Sequence, residues 1–295
     1  MSFDIMLPFW GEPAYLYEAV ESVLLQDSPN WRLTVVDDCY GDPTVSEYFN
    51  NLNDSRVRYI VNEKNLGVSG NFTRSVELAT QKYMMVMGCD DRLAPNYVSN
   101  IEKAIKKFPD VDIIQPGVRP IGSDSRPRTH LADKVKKALR PSASRGARIF
   151  SGDKIASSLL TGDWLYWPSL TFRRETLAST PFRKKYNVVL DLGVIIDILV
   201  NDGKLAVLPE VSFYYRRHID SVSSVKLFDD SRFAEERAYF KEAIGIAKKR
   251  GWKRSAFAAR LHVTSRLHAL SLIPRALKDK NCKAVKSLLH HTFSP

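Results

Sequence analysis

Short apolar runs alternate with helix-like stretches along the first 120 residues of the chain. The apolar runs have the length and β-branched composition of strands: FDIMLPF, RLTVVD, VRYIV, KYMMVMG and VDIIQP. Helical spacing between them covers residues 13–26, 44–51, 70–80 and 95–107, and Pro13 and Pro95 stand where a first helical turn tolerates proline. This alternation predicts an α/β fold with a mostly parallel central sheet flanked by helices.

The regular alternation stops at residues 119–150, which are rich in Arg, Lys, Ser and Pro. A segment of this length predicts a mobile basic loop, or a short helix with flexible flanks. Beyond it we predict a helix capped by Ser151, a strand in WPSLTFRR, a helix near 190–201 and a strand pair around KLAVLPEVSFYYRRH. Apolar residues return at helical spacing from residue 231 onward. We therefore expect an α/β domain at 1–228 and a basic helical C-terminal extension at 229–295.

The formal charge of +11 at pH 7 is concentrated in two segments. Residues 229–295 carry 15 Lys and Arg against 6 Asp and Glu, and residues 121–150 carry 8 against 2. A basic amphipathic helix either lies on an anionic membrane surface or packs on its own domain, and both interpretations stay open. Nucleic acid is not expected as a partner, because the tail contains no known nucleic-acid-binding motif.

Nothing in the sequence indicates a membrane span or an oxidising compartment. No apolar stretch approaches the about 20 residues that cross a bilayer, and the N-terminal MSFDIMLPFW lacks a basic leader. Cys39, Cys89 and Cys282 form neither a disulfide framework nor a close metal-binding cluster. We expect a cytoplasmic protein, with the inner face of the cell membrane as the surface to which its basic tail would bind.

Two of the predicted strands end in adjacent carboxylates, Asp37–Asp38 and Asp90–Asp91. Asp is common where a strand gives way to a turn, but paired carboxylates also suit a divalent cation whose remaining ligands are phosphates. Ligands of parallel sheets bind beyond the carboxyl ends of the strands, where both pairs would lie. Between the pairs, NEKNLGVSGNFTRSVELA places a glycine-containing loop before a helix capped by Ser69 or Asn71. Such a loop either caps its helix or offers backbone N–H groups to a phosphate.

Five stretches, taken in order, resemble the family 2 glycosyltransferases, which have the GT-A fold. They are IMLPFWGEPAYLYEAVESVLLQ, LTVVDDCYGDPT, NEKNLGVSGNFTRSVELA, YMMVMGCDDRLAPNYV and, more weakly, VVLDLGVIIDILVNDGKLAVLPEVSFYYRRHIDSVSS. The resemblance implies an inverting, metal-dependent enzyme that moves a sugar from a nucleotide-diphosphate donor to an acceptor hydroxyl, with Mn²⁺ or Mg²⁺ as cofactor. The implied acceptor is a lipid-linked or cell-envelope glycan, which would make an anionic membrane surface a natural partner.

The resemblance assigns donor and metal roles to the residues that match the family's motifs. Nucleotide-sugar binding would fall to Pro8, Asp38, Asn65, Gly67, Asp90 and Arg217, with Asp38 accepting a hydrogen bond from the base. The cation would be held by Asp90, Asp91 and His218. Gly88 stands where the family's Asp-any-Asp motif has its first carboxylate, so the division of labour between Asp90 and Asp91 stays open. Either Arg216 or Arg217 would stabilise the departing phosphate.

On the acceptor side, the resemblance implies that Asp191 is the base that deprotonates the attacking hydroxyl. Leu190 occupies the Glu position of the family's usual Glu-Asp pair, and Asp197 is the alternative base. Apart from the resemblance, Asp191 would simply be an acidic residue that suits the dipole at a helix N-terminus.

Alternatives remain for the nearby aromatic residues and for the chain as a whole. Trp164, Tyr166 and Trp167 either stack on an acceptor sugar ring or belong to the core. A nucleotidyltransferase would share the sheet but would usually carry a Gly-rich, basic loop after the first strand, which LPFWGEPAYL lacks. An inactive transferase fold that binds a membrane or a protein partner is consistent with Gly88 and Leu190.

Overall fold

The computed structural model describes residues 2–183, 185–186, 188–217 and 230–293. Its strands are β1 (Phe3–Phe9), β2 (Trp31–Asp37), β3 (Val57–Val61), β4 (Tyr83–Val86), β5 (Arg92–Leu93), β6 (Ile113–Ile121), β7 (Arg148–Phe150), β8 (Thr171–Arg173) and β9 (Leu205–Arg216). Its helices are α1 (Pro13–Leu24), α2 (Pro43–Asn51), α3 (Gly67–Leu78), α4 (Tyr97–Lys107), α5 (Leu131–Leu139), α6 (Gly152–Thr161), α7 (Arg174–Ala178), α8 (Leu190–Val200), α9 (Asp230–Lys249), α10 (Lys253–Leu261), α11 (Val263–Lys278) and α12 (Cys282–Phe293).

The described strands form one sheet in the order β3-β2-β1-β4-β8-β6-β9-β5, with β7 also paired to β9. β1 pairs in parallel with β2 and β4, β2 with β3, and β6 with β9. β8 lies antiparallel between β4 and β6. The six strands β1, β2, β3, β4, β6 and β9 therefore all run in the same direction. Every residue of β1 is buried, as expected for a parallel strand covered by helices on both faces. The predicted α/β architecture is confirmed, and the carboxyl ends of the parallel strands meet at one edge of the sheet.

One predicted strand pair is a single long strand, so that prediction is wrong. β9 runs unbroken through Pro209, although proline has no N–H to donate to a sheet. The register of β9 against β6 shifts around Pro116 and Gly117, and this irregularity takes both prolines out of the regular ladder. A Cβ on Gly117 would lie 2.6 Å from the carbonyl oxygen of Glu210, so glycine permits the close approach of the two strands.

Other predicted elements are present with shifted ends. Ser151 is the N-cap residue of α6, and α8 matches the helix predicted near 190–201. Only the last part of WPSLTFRR is a strand, β8; the residues before it form a 3₁₀ turn at Trp167–Ser169. Residues 119–150 contain the end of β6, helix α5 and strand β7, while the mobility expected of this segment stays a prediction.

The C-terminal extension begins as part of the main core. α9 packs against α8, and α10 packs against α6. Tyr239, Phe240 and Ala259 of the extension belong to the same buried cluster as Trp164 and Leu199. α11 and α12 form a smaller cluster with Phe233 of α9, which includes Ala276 and Leu288. Among the described residues, no helix combines the length and the apolar character needed to cross a membrane.

Two phenylalanines of the extension test whether its first helices belong to the main core. Phe240 in α9 is 7% exposed, whereas Phe257 in α10 is 64% exposed. We expect Phe240→Ala to lower the free energy of unfolding by about 3–5 kcal/mol, because it leaves a cavity in the shared core. The matched variant Phe257→Ala should change it by about 0.5 kcal/mol or less. Urea unfolding followed by circular dichroism measures both, and equal effects would contradict the shared core.

Candidate functional site

Asp38, which follows β2, holds the start of the neighbouring helix α3. Its carboxylate is 1% exposed and accepts hydrogen bonds from the backbone N–H groups of Leu66, at 2.8 Å, and Gly67, at 2.9 Å. These are free donors at a helix N-terminus, where a negative charge also suits the helix dipole. The caps expected within the helix, Ser69 and Asn71, are wrong because α3 begins earlier, at Gly67.

A second set of contacts ties the loop before α3 to the same carboxylate. The side-chain amide of Asn62 donates to Oδ1 of Asp38 at 2.9 Å and to the side-chain Oδ1 of Asn71 at 3.0 Å. Oδ1 of Asn65 accepts a hydrogen bond from the N–H of Gly67, whose φ of 71° favours glycine. Three of the predicted nucleotide-binding residues, Asp38, Asn65 and Gly67, are therefore neighbours in one network. Their contact with a nucleotide stays a prediction.

Other residues at this edge of the sheet have structural roles. Asp37 accepts hydrogen bonds from the N–H of Tyr40, at 2.8 Å, and from the hydroxyl of Tyr59, at 2.6 Å. Burial and the charge of Asp90 raise the pKa of the Cys89 thiol to about 12, so this cysteine stays protonated. Asp37 therefore stabilises the loop that follows β2, and Cys89 is not a reactive thiolate.

Asp90 and Asp91 converge beside Gly88, in the loop that follows β4. Asp91 is 1% exposed; its Oδ1 accepts from the N–H of Arg216 at 2.8 Å, while no donor of the described residues reaches its Oδ2. Burial and the charge of Asp90 raise the pKa of Asp91 well above its ordinary value. A Cβ on Gly88 would lie 2.6 Å from Oδ2 of Asp91 and 2.9 Å from Oδ1 of Asp90. The two carboxylates thus face one point, and Asp91 fills the space that a side chain at position 88 would need.

Arg216, at the end of β9, is a buried structural cation that is 2% exposed. Its guanidinium donates hydrogen bonds to the carbonyl of Asp90 at 2.6 Å, to the hydroxyl of Ser125 at 2.9 Å and to the carboxylate of Glu18 at 2.7 Å. These contacts orient the guanidinium toward the protein interior. Of the two arginines considered for the departing phosphate, the structure therefore favours Arg217.

Arg217 lies next to the acidic loop and keeps 25% of its side chain exposed. Its guanidinium forms an ion pair with Asp133 of α5, and the same carboxylate oxygen accepts a hydrogen bond from the Tyr166 hydroxyl at 2.9 Å. Burial would lower the pKa of Arg217, but the Tyr215 ring beneath it and the Asp133 carboxylate raise it, so the side chain remains a cation.

Asp191 lies in the first turn of α8, where its Oδ1 accepts a hydrogen bond from the N–H of Leu192 at 2.8 Å. Burial and the charge of Asp163 raise the pKa of Asp191 to about 6, against the opposing effects of the Leu192 N–H and the Lys136 ammonium. A carboxylate with a pKa in this range can accept a proton near neutral pH. The role of Asp191 as the base stays a prediction.

Helix α9 of the extension supports the start of α8. The carboxylate of Glu235 accepts hydrogen bonds from the N–H groups of Val188 and Val189, which immediately precede α8; the second is 3.2 Å long. The hydroxyl of Tyr239 donates to the carbonyl of Leu192 at 3.4 Å. The backbone on both sides of Asp191 is thus held by the extension.

Asp197, the alternative base, is not available for catalysis. Its two oxygens accept hydrogen bonds from the guanidinium of Arg183, at 2.6 Å and 3.0 Å. Both oxygens of the carboxylate are therefore already occupied by the guanidinium. Asp191 therefore remains as the candidate base of this helix.

The structure also corrects the acceptor-binding role of two tryptophans. Trp164 and Trp167 are 1% and 8% exposed, and the Trp167 ring packs 5.0 Å from that of Phe172. Their indoles belong to the core, so neither face is open to a sugar ring. Tyr166 is only half-buried and lies beside Asp133, which places it closer to the site.

Of two further predicted site residues, the structure describes only one. Pro8 is buried in β1, opposite Val36 of β2 and one position before the end of the strand, so it lies at the site edge. His218 lies outside the described residues. The nucleotide contact of Pro8 and the metal role of His218 stay predictions.

Sequence reasoning missed Asp133, Lys136 and Asp163. Asp133 and Lys136 are three residues apart and share one face of α5, a spacing that has meaning only once this helix is recognised. Asp163 lies in a short loop after α6, where no periodic pattern marks it. Their importance comes from tertiary contacts with Arg217 and Asp191.

The strands and helices form an α/β protein whose candidate site lies at the carboxyl edge of the parallel strands. The sequence profile described as Glycosyl transferase family 2 matches residues 4–166 of the 295, and the chain belongs to that family. WcaA of Escherichia coli strain K12, named as a colanic acid biosynthesis glycosyl transferase, is 34% identical over 97 residues, or 32% of this chain. The chain spans only 12% to 35% of the length of the curated relatives that it matches at 34% identity.

Solved structures share the fold over nearly the whole chain. Staphylococcus aureus TarS 1–349, in complex with UDP-GlcNAc, aligns with 98% of this chain and 90% of its own, at a TM-score of 0.63 and 14% identity. The mannosyltransferase PcManGT from Pyrobaculum calidifontis, in complex with GDP-Man and Mn²⁺, aligns with 97% of this chain and 78% of its own, at a TM-score of 0.61 and 14% identity. The GT-A architecture, including helices after the sheet, is thus confirmed.

Proposed function

We propose that the chain is an inverting, metal-dependent glycosyltransferase that uses a nucleotide-diphosphate sugar. The observation that carries this function is the pair of carboxylates that face one point beside Gly88, at the sheet edge where parallel sheets bind ligands. The ligands in the TarS and PcManGT structures, UDP-GlcNAc and GDP-Man with Mn²⁺, support it. The nucleotide would bind at the network of Pro8, Asp38, Asn65 and Gly67.

The residues beside Gly88 fit a divalent cation. Oδ2 of Asp91 is buried without a donor from the described residues, and Oδ1 of Asp90 faces the same point. Carboxylate oxygens suit Mn²⁺ and Mg²⁺. Within the described ranges no group of three His, Cys, Asp or Glu forms a metal cluster, so donor phosphates and His218 are the further ligands we propose. The bound cation would offset the charge of the departing diphosphate and orient it.

Asp191 and Arg217 supply the protein's part of the chemistry. The Asp191 carboxylate accepts the proton of the acceptor hydroxyl while that oxygen forms a bond to the anomeric carbon of the donor sugar. The bond between the anomeric carbon and the diphosphate oxygen breaks in the same displacement, so the configuration at this carbon inverts. Arg217 stabilises the negative charge that collects on the departing diphosphate.

The acceptor we propose is a lipid-linked or other cell-envelope glycan. The name of WcaA, which refers to colanic acid biosynthesis, supports this class. Membership of glycosyl transferase family 2 argues against a nucleotidyltransferase. An inactive module is disfavoured because Asp191 has the raised pKa of a usable base and because Gly88 has a structural explanation.

Calorimetric titration of UDP, GDP and dTDP, with and without Mn²⁺, tests the donor and metal assignments. We expect one of the nucleotides to bind and Mn²⁺ to tighten its binding about tenfold or more, equivalent to about 1.4 kcal/mol. Asp91→Asn should abolish the metal's contribution. Asp110→Asn, which changes a carboxylate that is 83% exposed, should bind like the wild type. Mn²⁺-independent binding by the wild type would contradict a metal site at Asp91.

The pH dependence of turnover tests Asp191. Its pKa is raised to about 6, so the base form is present above this pH and is lost as the pH falls through it. We therefore expect kcat to decline below about pH 6, and Asp191→Asn to reduce kcat by about 10²–10⁴-fold with nucleotide binding intact. Release of the nucleotide from the sugar donor, in the presence of acceptor, is the measurement. Asp202→Asn, at a carboxylate that is 80% exposed, is the control; a profile that is flat down to pH 5 would reject Asp191.

A surface on the extension supports peripheral binding to an anionic membrane. Val263, Leu267, Leu270 and Leu277 lie on one face of α11 and are 39%, 58%, 43% and 59% exposed, and we call them the outer stripe. The stripe continues into a groove of about 360 Å³ lined by Arg254, Phe257 and Leu261, among others.

Exposed cations flank this apolar surface. Lys253, Arg254 and Arg260 are exposed on α10, next to the groove. An apolar face bordered by Lys and Arg is complementary to the boundary of an anionic bilayer, where each cation near the surface contributes about 1 kcal/mol. A protein partner without excess negative charge would not account for the positive charge of these three residues.

Co-sedimentation with lipid vesicles tests this surface. We expect binding to vesicles that contain anionic phosphatidylglycerol and little binding to neutral phosphatidylcholine. Leu267→Ser should weaken the binding about tenfold, since a buried Leu contributes about 1.5–3 kcal/mol. Leu25→Ser, at a leucine that is 70% exposed after α1, is the matched control. A dimer in solution that Leu267→Ser dissociates would instead identify the stripe as a contact between copies.

A further inference from the structure

Helix α5 contacts the rest of the protein through two polar side chains and one apolar side chain. Leu131 and Val135 are 76% and 40% exposed, whereas Asp133 is 4% exposed. Asp133 and Lys136 share one face and point toward the protein, and Leu139 in the last turn packs against the main core. The two polar side chains contact residues of the candidate site, so the polar attachment of α5 and the geometry of the site depend on the same interactions.

Asp133 forms the contact with the side of the site where the diphosphate would leave. Its Oδ1 accepts hydrogen bonds from the guanidinium of Arg217 and the hydroxyl of Tyr166, and its Oδ2 accepts from the N–H of His130 at 2.9 Å. Three donors on one buried carboxylate hold it in a single orientation. Because one terminal nitrogen of Arg217 is fixed there, the direction of the rest of the guanidinium is fixed as well.

Arg217 retains a donor for an anion. Its Nε is buried and has no acceptor among the described residues, although a buried N–H normally has one. A phosphate oxygen is an acceptor that would complete the guanidinium's hydrogen bonds. The orientation imposed by Asp133 therefore matters for any diphosphate that binds at this edge.

Lys136 contacts the loop next to Asp191, the proposed base. Its ammonium donates hydrogen bonds to the carbonyl oxygens of Asp163, at 2.7 Å, and Leu165. It also lies 4.9 Å from the centre of the Tyr166 ring, whose hydroxyl bonds to Asp133. Lys136 thus holds the loop that carries Asp163, the acidic neighbour of Asp191.

We propose that Asp133 is the positioning residue for Arg217, and that α5 joins the diphosphate side of the site to the base side through Asp133 and Lys136. This role rests on the proposed function, in which Arg217 contacts the donor diphosphate. Asp133 contacts neither the donor nor the acceptor; it acts through Arg217. Lys136 acts through the Asp163 loop and through its own charge near Asp191.

A double-mutant cycle on nucleotide binding tests the Asp133 contact. The probe is whichever of UDP, GDP and dTDP binds the wild type with Mn²⁺, compared with the corresponding monophosphate. We expect Asp133→Asn and Arg217→Gln each to weaken diphosphate binding about tenfold, and the double variant to bind no more weakly than Arg217→Gln. Monophosphate binding should change little in all three. Lys134→Ala, on the exposed side of α5, is the control for general effects on the helix.

The outcomes separate this role from the proposed function. Diphosphate binding by Asp133→Asn equal to that of the wild type, or fully additive effects in the double variant, would overturn the positioning role alone. A wild-type chain that binds none of the diphosphates would overturn the proposed function and the positioning role together. Equal losses for diphosphate and monophosphate would show that Asp133 only stabilises the fold.

The pH–rate profile tests the Lys136 contact without changing Asp133. Among the described residues, the titratable groups near Asp191 are Asp163, Lys136 of α5, and Glu235 and Tyr239 of α9. Lys136→Met removes the cation that opposes Asp163, so the acid limb of the kcat profile should move to higher pH. Lys136→Arg should keep the wild-type limb, and so should Lys137→Met, at an exposed position. A limb that Lys136→Met leaves in place would overturn this half of the inference.

Discussion

The candidate site depends on the hydrogen bonds of one buried guanidinium, that of Arg216. A charge in this position is tolerated only when it is paired and hydrogen-bonded. Its partners come from three separate parts of the chain: Glu18 in α1, the carbonyl of Asp90, and Ser125 in the turn that follows β6. The backbone N–H of the same residue binds Oδ1 of Asp91. Arg216, at the end of β9, therefore joins the loop that carries Asp90 and Asp91 to α1 and to the turn after β6.

The arrangement of charges around Arg216 leaves Asp91 without an arginine side chain as a direct partner. Arg216 is turned toward Glu18 and backbone carbonyls, and Arg217 is paired with Asp133, so neither side chain neutralises Asp91 directly. Burial then keeps the pKa of Asp91 raised, a cost that a bound cation would remove by favouring the ionised carboxylate. The arginines organise the loops, while the binding of a ligand by the acidic pair stays a prediction.

The sheet and the location of the site were accessible from sequence, because both follow from local patterns. Apolar runs such as FDIMLPF predict strands, and carboxylates after two of these strands must lie at the same edge of a parallel sheet. The roles of Trp164 and Arg216 were not accessible, since burial depends on which distant elements pack against a residue. The same limit applies to Gly88: only the structure shows that Asp91 occupies the space of a side chain there. The single strand β9 was not accessible either, because the register shift that accommodates Pro209 depends on its pairing with β6.

The extension contributes to the site even though it follows the family's matched region. Glu235 caps the backbone that precedes α8 and Tyr239 binds the carbonyl after Asp191, so the position of the proposed base depends on α9. The next helix, α10, is capped by Asp153 of α6 and carries cations at the edge of the outer stripe. One continuous segment therefore both supports the base and presents an amphipathic surface.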